Sequence, residues 1–290
     1  MCGFLVTNKT NSDDKVFIYA LEKISHRGPD NTKVISFKNI NFGFKRLSIN
    51  DLTNSSNQPF EDDQYIFVFN GEIYNHDSLN HSFNLCVNKN SDSIVLFELL
   101  KQRKEEALSE LNGMYSFVLY DKHNNSFFAS RDIFGEKPLY YYISNDGDFV
   151  FSSEIKSLLP FIENIDFDDS QILSYFKNSY SDIGKTIYKG VYSLPPAHYL
   201  VFNNNNLTIK KYWNTPKVTN GNFSFNANKN QVKELLTQSV NRQLNADVDV
   251  GLFLSGGIDS SLLLSLSKRI GKKLKTFSFT FFDDENDDLN

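Results

Sequence analysis

The feature that most limits how this chain can fold is a succession of short runs rich in Phe, Tyr, Val and Ile. They lie at residues 33–37, 41–49, 65–69, 115–120, 127–130, 139–143 and 149–151, with turn-forming residues between them. Side chains of a strand alternate faces at every residue, so apolar runs this short predict strands rather than helices. Asn124-Asn125 and Asp146-Gly147 stand between pairs of runs as hairpin turns. Two antiparallel sheets are expected, and the 27 Phe and 14 Tyr suit them. Helical spacing at Phe17, Ala20, Leu21 and Ile24, and over 93–103, 152–159 and 170–176, interrupts the strands. A layered α+β domain therefore fits better than a pure β-sandwich.

At 290 residues the chain exceeds the usual single domain, which predicts one large domain plus part or all of a second. A net charge of −5 provides no basic field for a phosphate backbone, so no nucleic-acid partner is expected. The two cysteines, Cys2 and Cys86, make no disulfide framework and suit a reducing, cytoplasmic setting. No basic-then-apolar leader is read at the start and no apolar run reaches membrane-spanning length. Asn-rich stretches at 203–206 and 220–230 read as solvated connections.

Chemistry enters with Met1-Cys2-Gly3. Once the methionine is removed, Cys2 carries both a thiol and a free α-amine, whose ordinary pKa values of about 8.5 and 7.7–8.0 leave each partly reactive at neutral pH. That pair is suited to acyl transfer. Arg46 closes a strand, Asn70-Gly71-Glu72 follows the apolar run 65–69 as a turn at a sheet rim, and Asp92 precedes an apolar-periodic helix. Each has a plainer explanation: a buried thiol, a surface charge, a hairpin turn, a helix cap. Together they match amide hydrolysis of a free amino acid. An Asn side-chain amide and a Gly N–H can receive a tetrahedral oxyanion, an Arg fork a carboxylate, and Asp92 or Glu72 an ammonium. His26, in a polar turn, reads as structural.

Cys2-Gly3, His26-Arg27-Gly28-Pro29-Asp30, Arg46-Leu47-Ser48-Ile49, Asn70-Gly71-Glu72-Ile73-Tyr74-Asn75, Ser91-Asp92, Leu111-Asn112-Gly113-Met114, Arg131-Asp132 with Gly135, and Lys137-Pro138-Leu139-Tyr140-Tyr141 occur in this order. The series resembles the N-terminal glutaminase domain of asparagine synthetases, a class II, N-terminal-nucleophile glutamine amidotransferase. The resemblance covers residues 2–213. It implies a four-layer αββα sandwich, with Cys2 as nucleophile and Asn70 and Gly71 as oxyanion hole. Arg46, Glu72 and Asp92 would join them in holding glutamine, and hydrolysis would need no cofactor. Phe44 and Ile94 depart from the family pattern at positions given no chemistry.

A polar linker is expected over 214–228, followed by an incomplete doubly wound α/β nucleotide-binding domain over 229–290. Val232, Leu235, Leu236, Val240 and Leu244 mark an amphipathic helix. A strand at 248–254 runs into Ser255-Gly256-Gly257-Ile258-Asp259-Ser260-Ser261, then a helix at 260–270 and a strand at 275–281. A strand, Gly-rich turn and helix aim main-chain N–H groups and a helix dipole at phosphate oxygens. This motif resembles the pyrophosphate loop of ATP pyrophosphatases. The resemblance implies ATP with Leu254 and Phe279 flanking adenine, Ser255, Gly256, Gly257 and Ser260 on the phosphates, and Asp259 toward Mg2+. The acidic stretch 283–288 reads as a solvated loop. A doubly wound domain needs more βαβ units than these.

The resulting expectation is a glutamine-hydrolysing asparagine synthetase with only its glutaminase half complete, converting ATP, aspartate and glutamine to asparagine, glutamate, AMP and pyrophosphate. A different carboxylate acceptor, or a truncated regulatory or interaction protein, are the alternatives. Expected partners are those small molecules, with no nucleic acid, no membrane, and a homodimer as the assembly to test.

Overall fold

A computed structural model describes residues 1–9, 15–87, 91–217 and 224–279. The chain divides after Thr215 into two compact units.

In the first unit the elements run β1 (Gly3–Thr7), α1 (Lys15–Glu22), β2 (Asn31–Phe37), β3 (Ile40–Arg46), β4 (Phe60–Glu61), β5 (Tyr65–Ile73), α2 (His76–Ser82) and α3 (Asp92–Arg103). There follow β6 (Gly113–Asp121), β7 (Ser126–Arg131), β8 (Tyr140–Ile143), β9 (Phe149–Ser152), α4 (Ile155–Leu158), α5 (Asp169–Asn178), β10 (Val191–Ser193), β11 (His198–Asn203) and β12 (Asn206–Lys211). One sheet has the order β10-β8-β9-β1-β3-β2 and the other β12-β11-β7-β6-β5-β4.

Alternation along the strands sets the layers. Phe4 and Val6 of β1, Phe42 and Phe44 of β3, Ile66 and Val68 of β5, and Val118 and Tyr120 of β6 form the core between the sheets. The intervening residues face outward: Phe67, Phe69, Phe117 and Leu119 pack on Val95, Leu96, Leu99 and Leu100 of α3. On the opposite side Leu5 and Val150 pack on Phe17 and Leu21 of α1 and Leu158 of α4. The result is the expected helix–sheet–sheet–helix sandwich. Each of its fully buried Phe side chains contributes about 1.5–3 kcal/mol relative to exposure.

Several local expectations are corrected. Asn70-Gly71 is not a turn: β5 continues through it to Ile73, with Asn70 opposite Ser116 and Gly71 opposite Tyr115 of β6. Pairing along nine residues outweighs the turn preference of an Asn-Gly dipeptide. The helix expected at 152–159 is the short α4, because Ser152 still pairs with Leu5 in β9. Asn203–206 is the expected solvated connection, the tip of the β11–β12 hairpin with Asn204 and Asn205 at positive φ, whereas the Asn-rich stretch expected as a connection over 220–230 is helical from Phe225.

In the second unit, α6 (Phe225–Gln243) precedes β13 (Gly251–Phe253), α7 (Ile258–Arg269) and β14 (Lys275–Phe277). The two strands pair in parallel, so the segment is one βαβ unit. Val232, Leu235, Phe253, Leu262, Leu263 and Phe277 are exposed. The acidic stretch 283–288 and the last residues of the strand expected to reach 281 lie outside the described residues. Among the described residues no helix is long and apolar enough to cross a membrane.

Candidate active site

The inter-sheet core ends in a polar cleft because the inward register continues past its last apolar residues. Cys2 precedes Phe4 and Val6, Arg46 follows Phe42 and Phe44, and Asn70 and Glu72 follow Ile66 and Val68. With a period of two, all four side chains stay on the inner faces. Cys2, Arg46, Asn70, Gly71, Glu72 and Asp92 line this one cleft. The six positions expected to handle glutamine are therefore brought together.

Cys2 is pinned by its neighbours. Leu47 N–H donates to Sγ at 3.3 Å, Sγ–H faces the Leu47 carbonyl at 3.5 Å, and Arg27 Nε donates to the Cys2 carbonyl at 2.9 Å. Burial pushes the thiol pKa up, opposed by the Leu47 hydrogen bond. Burial also lowers the pKa of the amino-terminal amine, carried here by Met1. The two shifts run in opposite directions, thiol up and Met1 amine down, and both favour the uncharged form.

Arg46 is 5% exposed, which rules out the surface-charge explanation. Its guanidinium donates to the carbonyls of Thr53 (2.7 Å), Asn50 (3.5 Å) and Asp51, and to Asn57 Oδ1 (2.6 Å). These acceptors are neutral, so its charge is oriented without being neutralised. The loop that supplies them is ordered by the Asp51 carboxylate, which accepts from Thr53, Ser55 and Ser56.

Asn70 is 1% exposed, and neither its Oδ1 nor its Nδ2 has a hydrogen-bond partner among the described residues. Such a group costs about 1–3 kcal/mol, so its presence marks a place where a ligand oxygen belongs. Main-chain direction alternates along β5. Phe69 N–H goes to Gln58 Oε1 (2.6 Å) and Ile73 N–H to Asp92 Oδ2 (2.9 Å), both away from β6. Gly71 N–H lies between them on that same open edge. A Cβ at Gly71 would stand 2.2 Å from the Met114 carbonyl oxygen, a close approach that only glycine permits. Gly71→Ala is expected to cost about 1–3 kcal/mol of stability, measured by chemical denaturation; an unchanged midpoint would show that β6 gives way.

Asp92 is not the cap of α3. Ser91 caps it, accepting from Ile94 N–H, while Asp92 reaches across to β5. Burial raises its pKa to about 6 against the Ile73 hydrogen bond. Burial likewise pushes Glu72 up, opposed by Asn50 Nδ2 at 3.0 Å. Two carboxyls so raised are ready for a cationic partner. His26 is a rim residue paired with Glu154 at 2.9 Å.

The residues expected to hold a nucleotide lie in the second unit. β13 leads through Ser255-Gly256-Gly257 to the first turn of α7, with Gly256 at φ +84 and Gly257 as N-cap. Gly257 N–H donates to Ser255 Oγ (3.4 Å), which faces Ser260 Oγ at 3.2 Å. Leu254 N–H pairs with the Phe277 carbonyl, while Phe279 is 81% exposed and stacks on Phe253. Helix-start N–H groups and small hydroxyls suit a phosphate. Asp259 stands in the first turn of α7, and no group of three or more ligating side chains occurs among the described residues.

Comparison with known proteins agrees with this geometry. The family model described as a glutamine amidotransferase domain matches residues 1–213. The chain belongs to that family. A second model, asparagine synthase, matches residues 231–290. Asparagine synthetase [glutamine-hydrolyzing] 1 of Bacillus subtilis is 35% identical over 97% of this chain and 46% of its own length. Putative asparagine synthetase [glutamine-hydrolyzing] 2 of Methanocaldococcus jannaschii is 34% identical over 89% and 55%. Amidase chyE of Penicillium rubens is 32% identical over 93% and 43%. The chain spans about half the length of these relatives. The glutamine phosphoribosylpyrophosphate amidotransferase of B. subtilis superposes with a TM-score of 0.54 at 14% identity, over 96% of this chain and 65% of that one, a likeness of fold.

In the amidotransferase domain, four participants escaped sequence reasoning. Leu47 holds the sulfur, Asn50 holds Glu72, Arg27 holds the Cys2 carbonyl, and Lys137 lines the cleft. Asn50 acts through loop geometry that no residue pattern announces, and Leu47, although inside the Arg46-Leu47-Ser48-Ile49 motif, acts through its main-chain N–H. Arg27 and Lys137 do lie inside the ordered motifs, and that was the available signal.

Proposed function

We propose that this chain hydrolyses the side-chain amide of glutamine through Cys2, as the glutaminase part of an asparagine-synthetase-type enzyme. The observation that carries the reading is the buried Asn70 carboxamide, without a hydrogen-bond partner among the described residues, in one cleft with Cys2 and a guanidinium whose acceptors among those residues are neutral. The α-amine of the mature Cys2 takes the thiol proton as sulfur attacks the amide carbon. The oxyanion formed meets Asn70 Nδ2–H and Gly71 N–H. The ammonium then returns its proton to the leaving nitrogen and ammonia departs, leaving a glutamyl thioester. Water adds by the same route in reverse order of proton transfers, releasing glutamate and the thiol. Arg46 holds the substrate α-carboxylate; Asp92 and Glu72 hold its ammonium.

The second unit would bind ATP with Mg2+ through Ser255, Gly256, Gly257 and Ser260, with Asp259 toward the metal and Leu254 and Phe279 beside the base. When bound, ATP would activate the carboxylate of an acceptor, aspartate, with release of pyrophosphate, so that ammonia could displace AMP. The match to an asparagine synthase model and the helix-start geometry support this part.

The test is glutamate release from L-glutamine by protein whose intact mass corresponds to a chain starting at Cys2. Turnover by such protein is the expected result. No turnover from it, or full activity with Met1 retained, overturns the proposal.

A further inference from the structure

The motif Arg131-Asp132 with Gly135, singled out in the sequence, has no part in the chemistry above. Its geometry centres on the main chain of one residue, Lys137. Asp132 Oδ2 accepts the Lys137 N–H at 3.0 Å, and Arg131 Nε donates to the Lys137 carbonyl at 2.8 Å. The rest of the brace is equally directed. The Asp132 carboxylate also accepts from Tyr115, Phe134 and Glu136 N–H groups, and the Arg131 guanidinium also reaches the carbonyls of Gly135 and Leu194. Two charged side chains thus fix where the next side chain points.

That side chain enters the Cys2 cleft and is 4% exposed. Among the described residues its ammonium has one hydrogen-bond partner, Sδ of Met1 at 2.7 Å, and no carboxylate within ion-pair distance. Met1 is the residue that must leave for Cys2 to gain an α-amine. Cys2 is held by Arg27 and Leu47, so its position does not depend on Met1. Removal of Met1 therefore takes from a buried cation its one hydrogen-bond partner among the described residues, in the cleft where the Cys2 amine is then formed.

We propose that Lys137 is a positioning residue for glutamine hydrolysis: its ammonium, aimed by the Arg131–Asp132 brace, opposes protonation of the mature Cys2 α-amine and so keeps that amine available as the base. The inference rests on the glutaminase reading of Cys2. The charged and titratable groups around the amino terminus are Arg27 and Asp30 from the segment after α1, Lys137 from the β7–β8 connection, and the Cys2 thiol. Deeper in the cleft stand Arg46 of β3, Glu72 of β5 and Asp92 of α3. Arg27 is offset by Glu154 at 3.0 Å, and Asp30 is engaged by Ser48 N–H at 2.7 Å. At the Met1 amine burial acts first and Arg27 ahead of Lys137; Lys137 is the one of the two cations with no carboxylate within ion-pair distance among the described residues, although burial lowers its own pKa against the more distant Glu136, Glu72 and Asp132. A cation near an amine lowers the pH at which that amine takes up a proton. The lowered pKa of the amine in the Met1 form, with Lys137 among its causes, has the same sign.

The experiment uses the full chain with Met1 removed, as parent, Lys137→Gln and Lys137→Arg. Labelling cysteine with 13C and 15N gives only two sets of signals, from Cys2 and Cys86, so the α-amine of Cys2 can be titrated directly by NMR. In Lys137→Gln the Cys2 titration and the acid limb of kcat/KM for glutamine are both expected to move up by about one pH unit, a tenfold loss of activity below the limb with the alkaline plateau retained. Lys137→Arg should titrate like the parent. An unmoved Cys2 titration in folded Lys137→Gln overturns the inference, even if its activity falls. Because the titration reads the amine itself, absence of turnover in the parent would count against the glutaminase reading and leave the role of Lys137 to be decided by NMR.

Discussion

Cys2→Ala is expected to lower glutamate release at least about 10⁴-fold while the protein stays folded. The sulfur is the single thiol in the cleft among the described residues, and alanine keeps both the α-amine and the proposed oxyanion donors without supplying a group to replace the bond-forming step. The cost in stability is small, because the Cys2 carbonyl remains held by Arg27 and only the weak Leu47 contacts to sulfur disappear. About 1 kcal/mol or less is expected, read as a shift of a few degrees in the unfolding midpoint. Activity within tenfold of the parent would place the nucleophile elsewhere.

For Asn70→Ala the two readouts should move in opposite directions. Loss of an oxyanion donor is expected to reduce kcat about 10²–10³-fold with KM for glutamine little changed, since the donor meets an oxygen that is anionic only in the transition state. Stability should rise, because the substitution deletes two buried polar atoms that have no partner in the free protein. Thermal unfolding without ligand, alongside steady-state kinetics, checks both. A variant that is less stable and still active would mean that the Asn70 amide is a structural element, satisfied in the free protein, and that the oxyanion is received elsewhere.

Much of the sandwich was legible because it is written in period two. Ile66, Val68, Val118 and Tyr120 announce an inward face, and the same count places Cys2, Arg46 and Asn70 on it. What could not be read was local structure decided by distant partners. Asn70-Gly71 has the composition of a turn and is held extended by β6. The strands β4 and β10 are two and three residues long, too short for any period to show. The 47–58 loop takes its shape from Arg46 and Asp51, and the contacts of Arg27 and Lys137 with the amino terminus join residues 25 and 136 positions apart. Those pairings are properties of the folded topology.

One consequence concerns how such a domain can change. At the end of a central strand Cys2 has no slack: adding or removing one residue between it and Phe4 would turn the thiol to the helix side, and any amino-terminal extension, including an affinity tag, would cap the amine. The wall opposite is a loop tied to the strands through Arg46, Glu72 and Phe69, but its exposed side chains at Leu52 and Asn54 bond to no strand and can exchange. Drift in substrate preference should accordingly accumulate in residues 47–58, while the thiol end stays frozen in length.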